Sequence, residues 1–239
     1  MGSGYLYRLF RATEALNKET ILRMVDPCPG AALLDCGCGD GSFTVEVARA
    51  ARAAEIHGIE AVPERVRSAE ARGVAVRSAD LNRALPYENG RFDLVHANQV
   101  IEHLHATDLF LREVRRLLRP AGRAILSTNN LASWHNVASL MLGYQPMPMH
   151  VSAEVIAGNP LDPLRGERHP QGEDSHLRIF SFRGFRELCE HHGFRELALR
   201  TSGYYPFPPA LARPLARLDR RHGVYLIAKL AAGPGDGAA

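Results

Sequence analysis

Residues 33 to 43 read Leu-Leu-Asp-Cys-Gly-Cys-Gly-Asp-Gly-Ser-Phe and hold the densest group of chemistry-bearing positions in the chain. The apolar run from Ala31 to Leu34 has the length of a buried strand, and Phe43, Val45, Val47 and Ala48 then mix with polar residues as on a helix. Gly37, Gly39 and Gly41 fill the turn between them, where glycine lets another group approach the backbone closely. A strand, a glycine turn and a helix in this order predict a nucleotide-type site at the carboxyl end of the first strand of an α/β sheet. Charge decides between ligands. A pyrophosphate would sit on the helix N-terminus, which favours anions, but Asp35 precedes this turn and Asp40 lies inside it. The spacing is also Gly-x-Gly-x-Gly, not the dinucleotide Gly-x-Gly-x-x-Gly. A cationic ligand is expected, and a nucleotide-binding oxidoreductase is the disfavoured rival.

The elements that must position this turn follow from periodicity. Tyr5 to Val25 carries an interrupted apolar stripe (Leu6, Leu9, Phe10, Leu16, Ile21, Leu22, Val25) and predicts a helix, broken by Asp26-Pro27-Cys28-Pro29-Gly30. From Leu33 to Thr128 short apolar strands alternate with helices near Ser42–Arg52, Pro63–Arg72 and Asp108–Leu118, with Thr107 as the N-cap of the third. That alternation predicts βαβ units and a parallel sheet. Strands are expected at Ile56–Glu60, ending at Leu81, at Phe92–Asn98 and at Arg123–Thr128. Beyond Thr128 come a short helix at Ser133–Leu142, a long proline- and glycine-rich connection to about Leu177, a helix at Ser181–His192, and strands at Phe194–Thr201 and Val224–Leu230. The tail from Ala231 has a disorder-type composition.

At 239 residues, 46% hydrophobic and a net charge of +3, the chain can bury one sizeable core and lacks the clustered basic face that nucleic acid demands. Arg213, Arg217, Arg220 and Arg221 read as a solvated helix face. Four cysteines make no secreted disulfide framework, and a zinc reading of Cys36 and Cys38 would put two ligands inside the glycine turn, so reduced thiols are expected. His135, His150, His169 and His176 are too irregularly spaced for a metal set, and no metal is assigned. No apolar run approaches the roughly 18 residues of a membrane span, and the first residues lack a signal-peptide pattern. A cytoplasmic location is expected, with peripheral membrane contact through residues 204–218 as an open possibility.

The glycine turn and the segments after it resemble the class I S-adenosylmethionine-dependent methyltransferases. The likeness runs through Glu60 at the end of the second strand, Ala79-Asp80-Leu81 at the end of the third, Phe92-Asp93-Leu94-Val95-His96-Ala97-Asn98, Val100-Ile101-Glu102-His103-Leu104, and Leu117-Leu118-Arg119-Pro120-Ala121-Gly122-Arg123. More loosely, Ser133-Trp134-His135 and the segments near Tyr144 and His176 are similar to MetW-like and ubiquinone-biosynthesis-type branches. The resemblance implies a Rossmann-like, seven-stranded, mostly parallel sheet with helices on both faces and the last strand antiparallel between strands five and six. The expected layout is one domain: an N-terminal helical cap (1–26), a cofactor half (27–130), an acceptor-binding insertion with the last strands (131–230) and a tail (231–239).

It also implies S-adenosylmethionine as cofactor, held by Asp35, Gly37, Gly39, Asp40, Glu60, Ala61, Asp80, Leu81, Asn98, Gln99 and His103. Glu60 would take the ribose hydroxyls, and Asp80 with Leu81 the adenine. The expected reaction is transfer of a methyl group to a small or medium-sized metabolite, with a hydroxyl favoured over nitrogen or a protein side chain. A non-catalytic adaptor working with a partner protein is the rival from another class. Histidine is the usual base near neutral pH. Position selects His103, just after the fourth strand, and His176, in the insertion. Tyr7, Trp134, His150, His176 and Arg178 are the expected acceptor contacts.

Overall fold

The computed structural model describes residues 4–152, 154–168 and 176–233. The elements are α1 (Tyr5–Met24), β1 (Ala32–Cys36), α2 (Ser42–Ala51), β2 (Glu55–Ile59), α3 (Pro63–Glu70), β3 (Ala75–Arg77) and β4 (Phe92–Asn98). After a single 3-10 turn (Ile101–His103) follow α4 (Thr107–Leu117), β5 (Leu118–Asn129), α5 (Trp134–Met141), α6 (Phe182–His191), β6 (Phe194–Ser202), α7 (Pro209–Leu218) and β7 (Tyr225–Ala232). The seven strands form one sheet in the order β3-β2-β1-β4-β5-β7-β6. Pairs from β3 across to β5 are parallel, and β7 runs antiparallel to both β5 and β6. This is the expected mostly parallel sheet. The strand order reverses between β1 and β4, and in open α/β sheets the crevice at that point is where ligands bind.

The period of two in the strands sorts the core into two layers. Leu34, Val95, Ala124, Leu126 and Ala228 face α4 and α6, which bring Phe110, Leu111, Val114, Phe182 and Phe185. Leu33, Leu94, Ile125 and Ile227 face the other way, onto Ile21 and Val25 of α1 and Val47, Ala48 and Ala51 of α2. One helix layer thus covers each face, so the sheet is dry on both sides as a parallel sheet requires.

The boundaries differ from expectation in several places. β3 is only three residues long and stops at Arg77, so Ala79, Asp80 and Leu81 lie in the loop beyond it, where Asp80 Oδ1 accepts from the Asn82 backbone N–H (2.8 Å) and closes a turn. β5 begins at Leu118, because Leu118 pairs with Phe92 before a register shift leads into the regular ladder at Arg123. Thr107 is the first residue of α4 and caps nothing; the cap position is Ala106. Residues 82–90, with little structure of their own, are held on α4 by Arg116, which donates to the carbonyls of Leu85 (3.0 Å) and Tyr87 (2.8 Å). Ala231 and Ala232 complete β7, and residues 234–239 lie outside the described chain.

α7 lies against α1 through Ala212, Tyr204 and Leu16, and Arg213 reaches Glu19 of α1 at 2.9 Å. No helix among the described residues is long and apolar enough to cross a membrane. His135, on the first turn of α5, keeps a partly exposed edge but is otherwise enclosed, with its ring against Tyr205 at 5.6 Å. Burial lowers its pKa from 6.5 to about 4. Between those values the unfolded chain binds a proton that the folded chain refuses, so stability is present above 6.5 and is lost as pH falls towards 4. The cost at pH 5 relative to pH 7.5 is about 2 kcal/mol. Urea midpoints at the two pH values should differ less in His135→Gln than in the parent; an unchanged difference would remove His135 from the account.

Candidate active site

The glycine turn is built so that its own carboxylates fill the places an anion would want. Gly41, at φ +78°, is the N-cap of α2, and a Cβ there would stand 2.8 Å from the Ala69 backbone, so only glycine lets α3 pack against the turn. Asp40 Oδ1 accepts from the Ser42 backbone N–H (3.0 Å) and hydroxyl (2.7 Å), and its other oxygen pairs with Arg72 at 3.3 Å. These hydrogen bonds, led by the Ser42 hydroxyl, hold its pKa low. Glu60 Oε2 accepts from the Gly39 N–H (2.9 Å), and Oε1 accepts from the N–H groups of Ala61 (2.9 Å) and Val62 (3.0 Å). With the Ser42 N–H taken by one carboxylate and the Gly39 N–H by another, a pyrophosphate would meet fewer donors and an unfavourable field.

A cavity of about 910 Å³ opens beside the turn at the strand ends. Gly37, Gly39, Glu60, Ala61, Asp80, Leu81, Asn98, Gln99 and His103 all line it, together with Arg65 and the apolar walls Ile59, Ala79, Val100 and Leu104. Asp40 does not line it; its carboxylate faces outward to Ser42 and Arg72. Asp35 does not line it either. Asp35 is buried under the turn, where its Oδ1 pairs with His96 Nδ1 at 2.7 Å and its Oδ2 accepts from the Thr44 hydroxyl at 2.5 Å. Asp35 and His96 are register partners on neighbouring strands with side chains on the same face, a juxtaposition across 61 residues. Removing one member of such a buried pair leaves the other charge or dipole uncompensated, at about 3–5 kcal/mol. Asp35→Ala should therefore lower the urea midpoint sharply, more than Asp40→Ala, with its loss of ligand affinity traceable to unfolding. An Asp35→Ala protein as stable as the parent would return Asp35 to the list of direct ligand contacts.

Cys36, Cys38 and Cys189 are buried free thiols, and burial pushes the Cys38 and Cys189 thiols up to about 12.

A second cavity of about 420 Å³ adjoins the first and shares Asn98 and Gln99 with it. Its other walls are Phe10, Arg11, Glu14, Ala15, Asn17 and Lys18 of α1, with Asn129, His176 and Tyr225. α1 is anchored here by Asn17, whose amide donates to Asn98 Oδ1 (2.8 Å) and whose oxygen accepts from the Ser127 hydroxyl (3.1 Å). Gln99 sits between the cavities at φ +57°, an uncommon conformation for a residue with a side chain and one that costs roughly 1–3 kcal/mol. Its backbone N–H donates to the Ser127 carbonyl (2.9 Å), which holds the bend after β4.

Between the cavities lies a polar group that the sequence reading had only in part. The 3-10 turn sets Glu102 and His103 side by side, and the Glu102 carbonyl accepts from the N–H groups of Leu177 (2.8 Å) and Arg178 (3.1 Å), which brings His176 to the turn. The His103 and His176 ring centroids are 4.9 Å apart, and His150 stacks on His176 at 6.0 Å. The Glu102 side chain is fully buried; its Oε2 accepts from the Thr128 hydroxyl (2.8 Å), and burial raises its pKa to about 7.

Of the expected acceptor contacts, His176 lines the second cavity and His150 stands behind it. The others lie elsewhere. Tyr7 is one helical turn before Phe10 and stops short of the wall. Trp134 is half-exposed on the far side of α5, its indole N–H donating to Asp219 (2.7 Å) and its ring on His222. The Arg178 guanidinium donates to the His105 carbonyl (2.8 Å) at the surface. His169 lies outside the described residues.

Residues 34–126 match the family model described as a methyltransferase domain. The ubiquinone biosynthesis O-methyltransferase of Xanthomonas oryzae is 33% identical over 107 residues, 42% of this chain and 44% of that protein. The norajmaline N-methyltransferase of Rauvolfia serpentina is 36% identical over 101 residues, 39% and 34% of the two chains. Each match thus spans less than half of the relative's length. Among solved structures, a SAM-dependent methyltransferase from Thermotoga maritima superposes with a TM-score of 0.63 at 15% identity, covering 95% of this chain and 92% of its own. With the sheet order, the capped glycine turn and the cleft beside it, these likenesses agree: residues 34–126 form a methyltransferase domain, and the chain as a whole shares the fold of S-adenosylmethionine-dependent methyltransferases.

Proposed function

We propose that this chain uses S-adenosylmethionine to methylate a hydroxyl group of a small or medium-sized metabolite seated in the 420 Å³ cavity. The observation that carries the reading is the shared wall: Asn98 and Gln99 border both cavities, so a ligand in one meets a ligand in the other at these residues. The donor set of the larger cavity suits the cofactor. Glu60 and Asp80 supply carboxylates for hydroxyl and amine donors, Ile59, Ala79, Leu81 and Val100 give apolar faces for a base, and the turn's occupied N–H groups disfavour a pyrophosphate. When bound, S-adenosylmethionine supplies an electrophilic methyl group on a sulfonium.

The chain's own residues then have three tasks. α1, pinned by Asn17, covers the acceptor cavity and excludes water. Phe10 and Tyr225 grip an apolar body, while Arg11 and Lys18 offer positive charge to an acidic substituent. His103 and His176, at the junction, face the acceptor hydroxyl and favour its deprotonated form. The cavity's volume falls in the range of small-molecule sites. The test is direct: calorimetry with S-adenosylhomocysteine and with NAD, followed by transfer of isotope-labelled methyl from S-adenosylmethionine to panels of phenols, alcohols and amines. Binding of S-adenosylhomocysteine alone, and label on phenols or alcohols, is expected. Binding of NAD instead overturns the cofactor assignment, and label on amines alone overturns the hydroxyl.

A further inference from the structure

We infer that Glu102, His103 and His176 hold a divalent transition-metal ion at the junction of the two cavities. One ligand atom from each of these residues lies within 4.8 Å of the other two. An ion bound 2.0–2.2 Å from nitrogen and oxygen sets its ligands about 3.3 Å apart, so the widest pair closes by at most about 1.5 Å. Two histidines and one carboxylate are a known facial set for such ions, with the remaining positions open to water or substrate.

The surrounding hydrogen bonds orient all of this in advance. The Pro148 carbonyl can only accept, so its 3.0 Å contact with His176 Nδ1 places the ring hydrogen there and leaves the Nε2 lone pair facing inward. Backbone carbonyls commonly fix metal-binding histidines in this way. The Thr128 hydroxyl likewise takes Glu102 Oε2 and leaves Oε1 towards the cluster. Both inward acceptors, Glu102 Oε1 and His176 Nε2, converge on one amide nitrogen, Asn129 Nδ2, at 3.3 Å each. Nitrogen donors favour zinc, iron or cobalt over magnesium and calcium, which prefer oxygen.

The open positions would take the acceptor oxygen, and the ion would favour the oxyanion as it does for bound water. That role rests on the methyltransferase reading; the presence of the ion does not. The test uses full-length protein stripped with a chelator and titrated with Co²⁺, read by visible d–d absorption, with zinc content measured by mass spectrometry after Zn²⁺ loading and dialysis. One ion per chain is expected, with affinity reduced at least tenfold in both His176→Ala and His103→Ala. S-adenosylhomocysteine binding to the stripped protein and to His176→Ala reports the fold and the cofactor site separately. Cofactor-product binding without ion uptake overturns the metal site and leaves the proposed function standing. Ion uptake that both variants leave unchanged also overturns it, by placing the ion elsewhere.

Discussion

Replacing Glu60 with alanine is expected to weaken S-adenosylhomocysteine binding by roughly ten- to over a hundredfold, as loss of a charged hydrogen bond worth ~1.5–3 kcal/mol dictates. Glu60 follows β2 at the cavity wall, and three backbone N–H groups already hold its two oxygens. The carboxylate is thereby fixed before any ligand arrives, so little side-chain entropy is lost on binding. The same three bonds limit what it can accept, because a carboxylate offers about four lone-pair sites. A bidentate grip on two ribose hydroxyls, as the resemblance implies, must share an oxygen with the turn. Alanine also strands the Gly39 N–H, so the variant should lose some thermal stability as well. Calorimetry on protein shown to be folded by circular dichroism separates the two effects. Unchanged affinity in folded Glu60→Ala would detach β2 from the cofactor.

What the sequence made legible, and what it hid, divides along the reach of each interaction. The glycine turn, the alternating strands and the two-layer core are local patterns, and periods of two and 3.6 show them directly. Glu60, Asp80, Asn98 and His103 reach the cleft because a parallel strand delivers whatever follows it to the same edge of the sheet. Asp35 is two residues earlier in register than Glu60 and Asn98, and that is enough to bury it: its partner, His96, lies 61 positions away and no local pattern connects them. Trp134 illustrates another limit. An aromatic in the right segment points inward or outward according to helix phase, and α5 turns this one to the solvent side, against Asp219. Asn17 left a trace that could have been followed. Thr13 and Asn17 interrupt an otherwise apolar face of α1 at a spacing of four, and polar residues buried in a stripe need partners, here the Leu9 carbonyl for Thr13 and Asn98 with Ser127 for Asn17. The grouping of Glu102 with His176 had no such trace, since it depends on a carbonyl at residue 102 capturing the backbone at 177 and 178.

Removing either His103 or His176 is expected to lower methyl transfer by ~10²–10⁴-fold, the range for losing a group that handles the acceptor proton. Both rings stand at the junction of the cavities, 4.9 Å apart, and His176 also forms part of the acceptor wall. The two variants should differ in binding. His103 lines the cofactor cleft, so His103→Ala should shift S-adenosylhomocysteine affinity as well as turnover, whereas His176→Ala should leave that affinity within about twofold and act on turnover and on acceptor KM. Single-turnover rates with saturating acceptor isolate the chemical step from product release. A double variant no worse than His176→Ala would show that the two rings act as one unit, as residues sharing a proton or an ion must. Independent, multiplying losses would instead give each its own task, one at the cofactor and one at the acceptor. Near-parental rates in both single variants would leave proximity and exclusion of water as the whole of the catalysis, and both histidines would then be packing residues at the edge of the cleft.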